Sequence, residues 1–104
     1  MIISDHAIKQ YQARIYNTPN AREEIEDALG NVLGDYRKTS HERLALVRNA
    51  AGYVFGVAIT GNTIVTVGPA WYWHELRPIY RQYMRSRRHW RAAKRDTMKQ
   101  EAGR

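Results

Sequence analysis

Histidine and arginine are the side chains here with most to offer a phosphate. Imidazole exchanges a proton near neutral pH, and a guanidinium grips phosphate oxygens with a bidentate fork. His6 and Arg14 stand eight residues apart in the first stretch with helical periodicity. On a helix that spacing sets them about 80° apart, so they can flank one cleft. Metal-free RNA cleavage needs a group to take the 2′-OH proton, a cation on the phosphate and an acid for the leaving oxygen. Thr66, near the end of the last strand-like run, offers a hydroxyl. Arg48 and Tyr53 flank a turn and suit phosphate binding or base stacking. The competing roles are structural: His6 as a hydrogen-bonding residue of a first helical turn, and Arg14 paired with an acid of the second helix.

Other chemistries find little support. His41, His74 and His89 have no partner at metal-ligand spacing, and His74-Glu75 lacks the second histidine of a His-Glu-x-x-His motif. Cysteine is absent, which removes thiolate nucleophiles and cysteine zinc sites. No glycine-rich phosphate loop and no Gly-x-Ser-x-Gly elbow occurs. The reading therefore carries no metal and no cofactor.

Charge is distributed unevenly. Of 17 Lys and Arg residues, ten lie in 71–104, which nets +7, while 1–70 nets zero. The same segment holds every tryptophan: Trp71, Trp73 and Trp90. A pI near 10.1 points to polyanions, nucleic acid first and an acidic protein second. No apolar run reaches the roughly 20 residues of a membrane span, and the N-terminus lacks the pattern of a signal peptide. The expectation is a soluble cytoplasmic protein.

The elements that must position these residues follow from pattern. Met1–Ser4 reads as a short strand or lead-in. Ser4 or Asp5 caps a helix to about Tyr16, with Ala7, Ile8, Tyr11 and Ile15 on one face. Asn17 to Asn20 breaks it, and Asn20 with Glu23 reads as a capping box. Ile25, Ala28, Leu29, Val32, Leu33 and Tyr36 recur as one apolar helical face, ending at Gly34. Asp35–Glu42 is a polar connector. Strands follow at Arg43–Arg48, Tyr53–Thr60 and Thr63–Val67, joined by turns at Ala50-Ala51-Gly52 and Gly61-Asn62. Short turns make this an antiparallel meander, one face of which the two helices must cover.

From about Pro78 the chain reads as a helix roughly six turns long. Arg77, Arg81, Arg85, Arg88, Arg91, Arg95 and Lys99 share one side of it, and Leu76, Ile79, Tyr83 and Trp90 another. The basic side suits phosphate or an acidic partner, and the apolar side is compatible with a homodimer. Trp71, Tyr72 and Trp73 suit stacking on unpaired bases and equally suit covering the open end of a core; for Trp73 and Trp90 the core or interface role is preferred. Arg87 and Lys94 interrupt the apolar side, which argues against stable membrane insertion.

The run Ser4-Asp5-His6-Ala7-Ile8-Lys9-Gln10-Tyr11-Gln12-Ala13-Arg14 resembles the opening helix of small phage and toxin-like proteins. Ala28-Leu29-Gly30, the strand Arg43–Arg48 and Ile64-Val65-Thr66-Val67 extend the resemblance over roughly residues 3–68. The group is similar to RelE-like and BrnT-like toxins, within the barnase–EndoU–colicin–RelE class of metal-independent ribonucleases. The resemblance makes His6 and Arg14 the preferred catalytic pair. Gln10 departs from it, standing where an arginine is usual. So does Gly68-Pro69, standing where many relatives carry a tyrosine.

The expectation is an α+β protein: two N-terminal helices on a three- to four-stranded antiparallel meander, then a long basic C-terminal helix. Residues 1–70 form the RelE-like core, and 71–104 a basic aromatic extension of the same domain. The function expected is RNA binding by a toxin-like protein, extending to metal-independent endoribonuclease activity. The rival is a non-enzymatic phage-type protein whose basic helix binds nucleic acid or an acidic protein surface, such as an inhibitor of a host defence nuclease.

Overall fold

The computed structural model describes residues 1–87. In chain order these form β1 (Ile2–Ile3), α1 (Asp5–Arg14), α2 (Ala21–Leu29), β2 (Val32–Arg37), β3 (Glu42–Arg48), β4 (Val54–Thr60), β5 (Thr63–Pro69) and a 3₁₀ turn (His74–Leu76). Helix α3 covers 77–87, about three turns.

Local chemistry accounts for the first helix. The Ser4 hydroxyl accepts from the Ala7 N–H at 3.1 Å, which satisfies one orphan donor of α1. The capping box expected at Asn20 does not form. Its reciprocal half requires Glu23 to take the Asn20 N–H, but the Thr18 hydroxyl holds that proton at 3.1 Å. Thr18 is buried and its carbonyl accepts from Gln12 Nε2 at 2.9 Å, so this connector is fastened at both ends.

The second helix is shorter than its apolar period indicates. It stops at Leu29 with Gly30 as C-cap. Val32, Leu33 and Tyr36 belong to an edge strand, antiparallel to β3 in the register Asp35↔Ala45, Tyr36↔Leu44 and Arg37↔Arg43. Carrying the helix on would bury two glycines, Gly30 and Gly34, in its interior at about 1 kcal/mol each. Ending it gives the open edge of β3 a hydrogen-bonded partner.

The sheet has five strands in the order β1-β5-β4-β3-β2. Strands β2 to β5 form the expected antiparallel meander with one more strand than the three read from pattern. β1 adds parallel to β5 through Ile2↔Thr63 and Ile3↔Ile64, so the sheet is mixed. A bulge at Val65 restores the alternation of β5, which puts Ile64 and Val67 on the same side.

One face carries Ala45, Val47, Phe55, Val57, Ile59, Ile64 and Val67, and α1 and α2 close it with Ala7, Tyr11, Ala21, Ile25 and Ala28. Leu44 and Leu46 point to the other face, which the C-terminal segment covers. Gly34, Leu46, Gly56 and Gly68 pair in sequence across β2, β3, β4 and β5, forming one transverse row. A Cβ on Gly56 would stand 2.7 Å from the Trp73 ring, and one on Gly34 2.7 Å from Ile79 Cγ2. The row is a trough in which Trp73, the buried Leu76 and Ile79 lie.

Tyr72, Trp73, Leu76 and Ile79 pack against the sheet, where the glycine row leaves room for large side chains. One expectation for the C-terminal segment changes. A basic helix of six turns is not supported: the described helix is 77–87, anchored where Ile79 meets Gly34. Arg88, Trp90, Arg91, Arg95 and Lys99 lie outside the described residues. Among the described residues no helix is long and apolar enough to cross a membrane.

Candidate nucleic-acid interface

One end of the sheet gathers the ends of several elements. β3 finishes there at Arg48, paired with Val54 at the start of β4, and Phe55 pairs with Pro69 at the end of β5. Tyr53 and Trp71 each lie two residues beyond the Phe55↔Pro69 pair. α1 ends at the same place, since Arg14 Nη1 donates to the Val67 carbonyl at 3.0 Å.

Four exposed aromatic rings result: Trp71 at 61% exposure, Tyr72 at 49%, Tyr16 at 48% and Tyr53 at 37%. Tyr16 and Tyr53 stack, with ring centroids 5.3 Å apart and planes 23° from parallel. The Arg14 guanidinium sits 5.3 Å from the Tyr72 ring centre, a cation–π contact. The Tyr72 and Trp73 rings stand nearly perpendicular, with centroids 4.9 Å apart. Arg77 Nε donates to the Trp71 carbonyl at 3.0 Å, which holds a second guanidinium beside the rings.

The position of Tyr53 is set from the core. Its backbone N–H donates to Asn49 Oδ1 at 3.0 Å, and Asn49 Nδ2 donates to the Tyr11 hydroxyl at 2.9 Å. That hydroxyl donates to Glu24 Oε1 at 2.7 Å. Burial first, then the hydrogen bond to Glu24, pushes the Tyr11 phenol above its ordinary value, so it stays a neutral donor. Gly52, at φ 94°, makes the turn that brings Tyr53 back onto Asn49.

Arg48 is half-buried, and its Nε is enclosed without a hydrogen-bond partner. It borders an open pocket of about 310 Å³ that it shares with Asp27, Asn31 and Asn49. Asp27 is partly engaged there, accepting from the Ala50 N–H at 2.7 Å. An unpaired N–H on a permanent cation is costly.

The proposed catalytic residues are dispersed. His6 is exposed in the first turn of α1, about 12 Å along the helix from Arg14. Arg14 holds the Val67 carbonyl rather than an acid of the second helix. Gln10 Oε1 accepts from the Val67 N–H at 2.8 Å, so these two side chains satisfy both backbone groups of one residue of β5. An arginine at position 10 has no lone pair for that N–H. Thr66 pairs with Ala58 on the face opposite Val67, and hence opposite α1.

Along α3, Arg77, Arg81 and Arg85 are exposed, in a row at helical spacing. The opposite side, expected to be free for a second copy, places Ile79 against Gly34 of its own sheet. Among the described residues no group of three His, Asp or Glu side chains is arranged to hold a metal ion. Tyr16 and Asn49 had no role in the sequence reading. Tyr16 lies two residues past Arg14, and Asn49 opens the Ala-Ala-Gly turn.

No family model, curated protein or solved structure matches this chain.

Proposed function

We propose that the protein binds single-stranded RNA across the aromatic end of its sheet. Tyr16, Tyr53, Trp71 and Tyr72 stack on bases, and Arg14, Arg48, Arg77, Arg81 and Arg85 meet the phosphates. The observation that carries this reading is the convergence of four exposed rings and three arginines from distant parts of the chain. Base–aromatic stacking contributes about 1–3 kcal/mol per base and tolerates sequence variation. Five phosphate contacts imply a slope of about −3.5 in log K against log salt on a single strand.

Binding of a fluorescently labelled oligoribonucleotide tests this by anisotropy. Tyr53→Ala with Trp71→Ala is expected to lower affinity at least tenfold. Duplex RNA is expected to bind more weakly than single strands. Unchanged affinity in the double variant would sink the proposal. Preference for an acidic polypeptide over RNA would favour the rival, non-enzymatic reading, in which the arginines of α3 face an acidic protein surface.

Cleavage stands second, as the finer reading carried by the resemblance to RelE-like proteins. It asks His6 and Arg14 to reach one phosphate, while Arg14 and Gln10 hold β5 in place. Incubation of RNA with the protein in EDTA, beside His6→Ala and Arg14→Ala, tests it. Cleavage lost in His6→Ala with folding intact supports a catalytic histidine. Absence of cleavage by the unaltered protein leaves binding as the activity.

A further inference from the structure

The end of the sheet opposite the aromatic rings carries a second cluster of positive charge. Arg37 closes β2 and Arg43 is the second residue of β3, and they are direct partners across the ladder. Like charges directly opposite one another repel. By strand alternation both project on the α1–α2 side, with Ala45, while Glu42 leaves β3 on the other side. Asp35 is the next acid along β2, and it shares a separate small cavity with Arg43. Lys38 adds a further positive charge to the same hairpin.

The hairpin between the two arginines is held by bonds of its own backbone and of the Thr39 hydroxyl. The Lys38 and Thr39 N–H groups both donate to the Glu42 carbonyl, at 2.9 and 3.1 Å. The Thr39 hydroxyl accepts from the N–H groups of His41 and Glu42, at 3.2 and 3.0 Å. The Gly61 N–H donates to the His41 carbonyl at 2.7 Å, pinning this hairpin to the β4–β5 turn. Between the turns lies a pocket of about 190 Å³, bordered by Arg37, Arg43, Ser40, His41 and Glu42. Those backbone groups are thus engaged, and the side chains around the pocket are two arginines, Ser40 and His41, with Glu42 the one acid among them.

We infer that this pocket binds a phosphate monoester. A dianion balances both arginines, and its three terminal oxygens accept from two forks with Ser40 and His41 as further donors. The monoester is either the terminal phosphate of a nucleic-acid strand or a small phosphorylated molecule. The site is separate from the aromatic end and does not depend on the RNA reading.

Backbone amide shifts followed during titration with inorganic phosphate, at constant ionic strength, test the inference. Saturable shifts confined to residues 37–43 and to Gly61 are expected. Arg37→Gln with Arg43→Gln is expected to weaken binding at least tenfold, with thermal stability equal or higher because the repulsion is gone. Shifts that fail to saturate, spread over the surface, or persist in the double variant would overturn it. A short oligoribonucleotide with and without a 5′-phosphate separates the sources. Displacement by inorganic phosphate of only the phosphorylated form identifies a strand end; indifference to the terminal phosphate identifies a small molecule. Tyr53→Ala with Trp71→Ala leaves phosphate binding intact, so failure of either site is distinguishable from failure of the other.

Discussion

The two faces of the sheet are closed in different ways. On the helical face the strands supply Phe55, Val57 and Ile59, and the helices interleave Tyr11 and Ile25 with Ala7, Ala21 and Ala28. On the other face the strands supply Gly34, Gly56 and Gly68, and the covering segment supplies Tyr72, Trp73 and Ile79. Both arrangements reach close packing, since a core needs only complementary volumes. They differ in what they expose. The helical face spends its apolar surface inside. The glycine face draws a chain of rings down to the sheet and leaves Trp71 and Tyr72 at its margin, beside Tyr16 and Tyr53.

Substitutions on the two faces should therefore have different signatures. Phe55→Ala is expected to have the largest effect on stability, about 3–5 kcal/mol. Phe55 is fully buried and its ring meets Tyr11 edge-on at 5.2 Å. Thermal or urea denaturation measures that loss, and RNA affinity per folded molecule should change little. An equal fall in affinity would show that the two faces are not separable.

Gly56→Ala comes next, at about 1–3 kcal/mol for overpacking. Its new methyl meets the Trp73 ring at 2.7 Å, so the covering segment must shift. Tryptophan emission should change and RNA binding should weaken, in contrast with Phe55→Ala. A silent Gly56→Ala would mean that residues 71–79 do not depend on the trough.

Tyr11→Phe should cost about 1–2 kcal/mol, because it deprives the Asn49 amide and the Glu24 carboxylate of a buried partner. It also alters the response to alkali. The folded phenol ionises above the ordinary tyrosine value of about 10. Its contribution is complete below that value and declines as pH rises beyond it, because the unfolded phenol ionises first. Stability measured from pH 8 upward should fall less steeply in Tyr11→Phe than in the parent chain.

Arg48→Met should move stability least, by under about 0.5 kcal/mol. It removes an enclosed Nε that has no partner and keeps much of the packing of the stem. RNA affinity should nevertheless fall several-fold. A large loss of stability would show that Arg48 is structural.

Much of this arrangement was legible in residue order. The Ser4 cap, the alternation of Leu44 and Leu46 against Ala45 and Val47, and the turns at Gly52 and Gly61 are local signals, and each specifies its own neighbourhood. Arg48 and Tyr53 could be placed on either side of one turn because Ala50-Ala51-Gly52 is a local turn signal. β2 was not legible, because Val32, Leu33 and Tyr36 fit a helical period as well as a strand. The choice between the two came from the open edge of β3, which the order of residues in β2 does not contain. The stack of Tyr16 on Tyr53, the use of Gln10 and Arg14 to hold Val67, and the placement of Thr66 away from α1 all depend on long-range pairing.

What the sequence determined by itself is the chemistry available: arginines and rings in excess, no cysteine, and segments whose periodicity and turn residues specify most of the elements. What only the tertiary structure decided is which of those side chains meet. Register places glycines of three strands in one row, and that row decides where the C-terminal rings settle. The physical reason is range. Caps, turns and alternation act within a few residues, whereas strand pairing and close packing join residues that are neighbours only once the chain has folded.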